Sequence, residues 1–412
     1  MVRILSSNFQ DFAGASRPFR AEAELDDLEV EGNIPLELNG TFYGVAHDPY
    51  YERDFFMNGA KTTSFDADGS ISAFRVHNGK VSFKQRYVLT ERFIAERKAG
   101  KALFGVMRSP FSHHPCVRAM EDNVANTNVI VHAGKLLALS EHGAPYELDP
   151  TTMATIGHTP FPGQLPDKGP YTAHPKIDPD TGDLVGYGYA LRGAESNDCT
   201  VWIHNRNGAK IYEQSFERPI NGFIHDCAIT PSYIILMQMP FHTSFESLTS
   251  PDGHLWTYDE NLPTYFYVVP KDKKRPVRTF HWKNCLPIHS GASWEEDGNI
   301  FFDATVASSN AFPFLPRYTY VNCFDPKSTT DPSLLYRGLN CLGRYDYDTK
   351  TFETMSPGPD VLVQETCFSP RGSDAPEGDG LLVTMIDNIQ EHRNEIVSTR
   401  VPIHNPSFPY IV

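Results

Sequence analysis

Along most of the chain, short runs of β-branched and aromatic residues are interrupted by polar turns that carry Asp or Asn close to Gly. Examples are Ser64-Phe-Asp-Ala-Asp-Gly-Ser-Ile71, His77-Asn-Gly-Lys-Val81, Val131-His-Ala-Gly-Lys-Leu136 and Ile177-Asp-Pro-Asp-Thr-Gly-Asp-Leu184. His204-Asn-Arg-Asn-Gly208, Trp294-Glu-Glu-Asp-Gly-Asn-Ile300 and Tyr345-Asp-Tyr-Asp-Thr-Lys-Thr351 continue the series. Gly and Asn tolerate positive φ, so such pairs between β-prone runs predict hairpins. Hairpins repeated over so much of the chain predict an all-β fold, either a sandwich array or a propeller. Helical periodicity is scarce and is clearest from Glu91 to Phe104. The Pro-rich stretches Pro160 to Pro170 and Phe312 to Pro316 read as ordered loops rather than linkers. With no linker in sight, residues 1–412 are expected to form a single domain.

Composition narrows the partners. The formal charge is −15, from 36 Lys and Arg against 51 Asp and Glu, and the acidic residues are spread along the chain. A phosphate backbone is bound by clustered Lys and Arg, so no nucleic-acid partner is expected. The one compact basic run, Lys271 to Arg275, reads as a solvated turn. Seven scattered cysteines without a C-x-x-C pair argue against a disulfide framework or a cysteine zinc site. Met1 to Gly14 lacks the basic and apolar regions of a signal peptide. No stretch approaches the roughly 18 continuous apolar residues of a membrane span. A cytoplasmic protein without a transmembrane segment is the expectation.

Candidate chemistry rests on the histidines. Of the 16, three lie where a strand-like run meets a loop: His174 in Thr172-Ala-His-Pro-Lys-Ile-Asp178, His225 in Phe223-Ile-His-Asp-Cys-Ala-Ile-Thr230, and His289 in Leu286-Pro-Ile-His-Ser-Gly291. Their separations, 225 − 174 = 51 and 289 − 225 = 64 residues, are about one propeller blade each. One loop from each blade reaching a shared axis would let three imidazoles converge. Residue type alone does not choose the metal, because neutral imidazole suits Fe, Zn and Cu. A single histidine beside a strand is more often a hydrogen-bonded structural residue. On composition alone His113, His114, His142 and His242 are no poorer candidates.

These segments resemble the carotenoid cleavage oxygenase family, in particular its lignostilbene-dioxygenase-like branch, over most of the chain. The resemblance is carried by Asn39-Gly-Thr-Phe-Tyr43, by Ala125-Asn-Thr-Asn128 followed by Leu136-Leu-Ala-Leu139 and Glu141 to Pro150, and by the three histidine segments. It continues in Gln364-Glu-Thr-Cys-Phe-Ser-Pro-Arg371 leading into Asp374-Ala-Pro-Glu-Gly-Asp-Gly380. It implies a seven-bladed β-propeller with a dome of loops and short helices over an axial metal site. It further implies one Fe(2+) per chain, with His174, His225 and His289 as the first three of the family's four histidine ligands. Glu141 and Glu365 take the places of outer glutamates that accept the second ring N–H of a ligand and fix its orientation. The implied partners are O2 and an apolar conjugated small molecule, whose carbon–carbon double bond is cleaved to two carbonyl products.

The chain departs from the family pattern in three places. The fourth ligand belongs to a Phe-His-Gly-like motif near the C-terminus, which is missing here. His404, the only histidine beyond the matching segment Asp387 to Glu395, stands in different surroundings. The tail 397–412 therefore reads as divergent or truncated, with little to pair or bury, and the closing blade is expected to be short of strands. Between Asn310 and Asp346 the chain reads as shortened around 315–341, and the Glu-Phe-Pro-like motif carrying the third glutamate is absent. His289 is then expected to lack its N–H acceptor. Finally, the tyrosine and lysine that hold the phenol in stilbene-cleaving members correspond to Met107 and Ser140. That pair favours an apolar or differently substituted alkene over a 4-hydroxystilbene. Two readings from other classes stand beside the oxygenase. One is a catalytically inactive propeller kept as a binding protein, and the other is a zinc hydrolase using the same histidines.

Overall fold

The protein is described by a computed structural model. It covers residues 18–35, 37–51, 56–57, 60–61, 64–106, 109–141, 143–158, 169–249, 255–307, 321–331, 334, 338–346, 351–371, 380–391, 393–401 and 410–411. The fold is all-β, and its sheets are antiparallel meanders that follow one another along the chain. The first combines Gly40–His47, Gly69–His77 and Lys80–Tyr87 with Ala23–Leu25 at its edge. The second runs Asn128–His132, Lys135–Leu139, Tyr146–Leu148, Thr155–His158, and the third Lys176–Ile177, Leu184–Tyr189, Asp198–His204, Lys210–Glu217. The fourth runs Ile224–Ile229, Tyr233–Gln238, Thr264–Pro270, Arg278–Trp282. A hairpin of Leu286–Glu296 with Asn299–Ala307 follows, then a three-stranded sheet of Val321–Cys323, Cys341–Asp346 and Thr351–Met355. The last sheet joins Val361–Pro370, Gly380–Asn388, Arg393–Val401 and Tyr410–Ile411 to Glu31–Gly32 from the other end of the chain.

Turn chemistry accounts for the meander. Asn78-Gly79, Ala133-Gly134 and Asp297-Gly298 each have positive φ at both central positions, the backbone that matches the twist of a tight hairpin. Ser64 to Ile71, read above as a hairpin, is instead a 3-10 turn, Ser64–Asp66, that leads into the strand Gly69–His77. The helix expected from Glu91 to Phe104 is shorter, Glu91–Ala99. Thr90 caps its start by accepting from the Phe93 amide, and Gly100 ends it in the left-handed conformation. Leu103 and Phe104 are still buried, held by amides that donate to Glu96 Oε1. No described helix is long and apolar enough to cross a membrane.

The buried side chains lie between successive sheets rather than in one central layer. Ile71 of the first sheet and Val88 just beyond its last strand meet Leu136 and Leu148 of the second, and Leu137 and Leu139 of the second meet Leu184 and Trp202 of the third. Tyr187 and Val201 meet Ile234 and Tyr267, and Ile235 and Val268 meet Ile300 and Phe302 of the hairpin. Leu342 and Met355 pack on Val361 and Ile386 of the last sheet. Leu381, Val383, Met385 and Ile396 of the last sheet then pack on Phe74, Val76 and Val81 of the first.

The tail, expected to have little to pair, contributes a strand to the last sheet. That sheet has five strands, and Tyr410–Ile411 pairs with Val397 and Ser398 on one side and with Glu31–Gly32 on the other. Contact between the last and first sheets should therefore carry folding energy. Leu381→Ala is expected to lower unfolding free energy by about 2–5 kcal/mol in chemical denaturation. Ile156→Ala, at a side chain 65% exposed, should stay within about 0.5 kcal/mol of the parent.

Candidate metal centre

In the sheets that bear the site, the first strand in chain order lies at one edge, and these edge strands approach one another. Lys176–Ile177 contacts Ile224–Ile229, which in turn contacts Leu286–Glu296. His174 stands just before the first of these strands, His225 in the second and His289 in the third. The structure brings the three imidazoles together. Ring centroids are 4.4 Å apart for His174 and His225, 4.8 Å for His174 and His289, and 4.9 Å for His225 and His289. One nitrogen from each lies within 4.8 Å of the other two.

Local irregularities aim these side chains. The pairing of Ile224–Ile229 shifts register between Ile224 and Cys227, and that of Leu286–Glu296 shifts between Pro287 and Ser290. Both shifts fall at a histidine, where a bulge turns a side chain away from simple alternation. His174 is placed by its backbone. Its amide donates to Thr172 Oγ1 at 3.0 Å, and Asn128 Nδ2 donates to the Ala173 carbonyl at 2.8 Å. The Ala125-Asn-Thr-Asn128 segment thus has a structural task. Asn126 Nδ2 also ties down the Phe65 and Ala67 carbonyls, and Gly69 passes so close to Ala125 that a Cβ there would strike its carbonyl.

A carboxylate backs two of the three rings. His225 Nδ1 is 2.8 Å from Glu141 Oε2, and the other Glu141 oxygen accepts from the Tyr189 hydroxyl. His289 Nδ1 is 3.3 Å from Asp226 Oδ2. With Nδ1–H donated outward, each ring turns Nε2 toward the shared point as an acceptor. Asp226 corrects the expectation that His289 lacks an acceptor. It is almost fully buried, accepts from the Ser290 and Cys227 amides, and pairs with Lys176 Nζ at 2.8 Å. Burial favours its neutral form, but the hydrogen bond with His289 and the Lys176 ammonium outweigh that and hold the carboxyl below the usual range. Burial likewise opposes the Lys176 charge, and Asp226 more than offsets it.

Burial, and then the neighbouring His225, press the His174 imidazole well below its usual pKa. It is therefore a neutral base whose Nε2 is sealed from solvent and has no hydrogen-bond partner. A buried nitrogen lone pair facing two other imidazoles is costly on its own and is satisfied by a cation. The donor set fits a divalent metal. Two nitrogens bonded at about 2.0–2.1 Å to one ion stand at most about 4.2 Å apart, so small torsions close the observed spread.

The other sequence candidates fall elsewhere. Ser140 is buried beside Glu141, its hydroxyl without a hydrogen-bond partner. Glu365, in the strand Val361–Pro370, is exposed and makes no hydrogen bond to the three imidazoles. Met107, His142 and His404 lie outside the described residues. His113 contacts Asp122 at 3.2 Å, away from the cluster, as a structural histidine would. Asp226 and Lys176 were missed by sequence reasoning. The available signal was Asp226 directly following a candidate ligand inside a run of apolar strand residues.

The chain matches the retinal pigment epithelial membrane protein family over residues 16–317 and 315–398, and it belongs to that family. It is 35% identical to resveratrol cleavage oxygenase 1 of Botryotinia fuckeliana, over 94% of this chain and 80% of the relative. It is 32% identical to lignostilbene-alpha,beta-dioxygenase isozyme III of Sphingomonas paucimobilis, over 95% and 92%. The crystal structure of Pseudomonas brassicacearum lignostilbene dioxygenase superposes with a TM-score of 0.89 at 30% identity, covering 98% of this chain and 96% of that one.

If Asp226 orients His289, removing it should loosen the metal. Asp226→Ala is expected to weaken metal binding about 10- to 100-fold in chelator competition. Ser72→Ala, outside the site, should leave binding unchanged.

Proposed function

We propose that this chain is a non-haem iron(II) dioxygenase of the carotenoid-cleavage type, cutting a conjugated carbon–carbon double bond to two carbonyl products with O2. The observation that carries the reading is the convergence of His174, His225 and His289, with the lone pair of His174 buried and unpartnered. The oxygenase names of its relatives support the reaction class, and that likeness, together with the intact histidine cluster, disfavours an inactive binding protein. For a zinc hydrolase the described residues offer no free general base beside the histidines, since both carboxylates there are already engaged by hydrogen bonds.

His174, His225 and His289 would hold one Fe(2+) per chain. Three neutral ligands leave coordination positions for oxygen and substrate, and the iron supplies the redox chemistry when bound. The chain's own contribution is orientation and charge. Glu141 and Asp226 each hold a ring N–H, set the tautomer, and place negative charge one bond network away from the ion. Tyr189 and Lys176 fix those carboxylates in turn.

The same reading places the sheets in a seven-bladed propeller, a single domain with a dome of loops and helices over the metal. The edge strands that approach one another and the packing of the last sheet on the first support it. For the substrate we favour an apolar stilbene- or apocarotenoid-like alkene. Ser140 is short and uncharged where a lysine would grip a phenolate, so an unsubstituted or O-methylated stilbene should be cleaved at least as fast as its 4-hydroxy counterpart.

His225→Ala is expected to lose stoichiometric iron and at least about 100-fold of cleavage rate, read as aldehyde formed per O2 consumed. Undiminished cleavage by that variant would remove the proposed centre from the reaction.

A further inference from the structure

A second group of metal-ligating side chains gathers where the helix Glu91–Ala99 meets the edge of the second sheet. Glu91, Glu121 and His158 each offer a donor atom within 4.8 Å of the other two. We propose that these residues hold a divalent zinc or manganese ion at a site separate from the three-histidine centre.

Three different elements supply the donors, and each is fixed by bonds that do not involve an ion. Glu91 follows the helix cap Thr90, and its amide donates to the Tyr146 hydroxyl at 3.2 Å. The Leu89 amide donates to Thr155 Oγ1 at 2.9 Å, docking the helix start on the strand that carries His158. Tyr146 is the cross-strand partner of His158, with ring centroids 4.1 Å apart, so the imidazole is held against an aromatic wall. Glu121 sits in the loop beyond the 3-10 turn Pro115–Val117. Asn123 anchors that loop by donating to the Ala144 carbonyl at 2.8 Å and lies 3.5 Å from Glu121 Oε1.

A second, independent observation concerns hydrogen bonding. Both ring nitrogens of His158 and the Oε2 of Glu121 are sealed from solvent and lack a hydrogen-bond partner. Yet His158 Nε2 and Glu121 Oε2 stand 2.9 Å apart. An imidazole nitrogen this close to a carboxylate oxygen, with no N–H aligned between them, leaves lone pairs unsatisfied in a buried place. A cation touching both atoms resolves this, and Glu91 completes a third position. A simple ion pair would account for His158 and Glu121, and a helix start favours Glu91 by itself. Neither accounts for all three donor atoms gathering within 4.8 Å of one another. One imidazole and two carboxylates suit zinc or manganese, whereas magnesium and calcium prefer all-oxygen sets. Two carboxylates balance the charge of a divalent ion. Such an ion would pin the helix to the second sheet.

Crystals of the full chain soaked in zinc or manganese chloride should show an anomalous peak among Glu91, Glu121 and His158, besides any at the histidine centre. In solution, His174→Ala should retain one zinc at this second site, and adding His158→Gln should weaken that zinc about 10- to 100-fold. No anomalous peak at Glu121 under saturating cation would overturn the proposal, as would equal zinc affinity with and without His158→Gln. The crystal test uses the unaltered chain, so misfolding of a variant cannot decide it. A peak at Glu121 without one at His174 supports a separate second site, and a peak at His174 without one at Glu121 overturns it.

Discussion

Three imidazoles facing one another, with ring centroids 4.4 to 4.9 Å apart, are the constraint on which the site depends. Each ring is a dipole with a lone pair, and nothing in a protein core holds three lone pairs together without a positive charge or an N–H between them. The chain directs the N–H groups outward: His225 Nδ1 donates to Glu141, and His289 Nδ1 donates to Asp226. What is left at the centre is acceptor capacity alone, and the buried Nε2 of His174 is its deepest part. Carboxylates in this outer position act as orienters and as charge, which is why each is held by further partners instead of being left to rotate.

The sheets make this possible by bringing edge strands from far-separated segments side by side. Strict alternation along a strand would send His225 and Asp226 to opposite faces. The register shift between Ile224 and Cys227 breaks that alternation, so one residue reaches the centre while its neighbour braces the next histidine. A helix could not place both in this way. Outside the centre, Tyr187 donates to the Ile224 carbonyl at 3.2 Å, and the Ser290 hydroxyl donates to the Cys227 carbonyl at 2.6 Å. These bonds tie the third sheet, the fourth sheet and the hairpin into one support for the three histidines.

Much of the architecture was legible from turn residues, because Asn-Gly and Asp-Gly between β-prone runs have few conformational alternatives. The misreading at Ser64 to Ile71 shows the limit: the Asp and Gly there lead from a 3-10 turn into the strand Gly69–His77, whose preceding partner is the distant strand Gly40–His47 rather than an adjacent hairpin arm. The three histidines were legible through the family resemblance and their spacing, not through composition. Asp226 was not, since its role arises from a bulge, and a bulge is a property of pairing rather than of local sequence. The pairing of the tail was not legible for a related reason. Tyr410 and Ile411 look isolated in sequence, but the strand they join lies partly at the other end of the chain. Glu365 matches the family segment, yet its side chain is exposed and makes no hydrogen bond to the three imidazoles.

The central claim is that one iron is bound by the nitrogens of His174, His225 and His289. X-ray absorption at the iron K-edge of the reconstituted protein tests it most directly. The account predicts a first shell of nitrogen and oxygen at about 2.0–2.2 Å, with the multiple scattering of about three imidazole rings. A shell containing sulfur, or one without imidazole scattering, would contradict it.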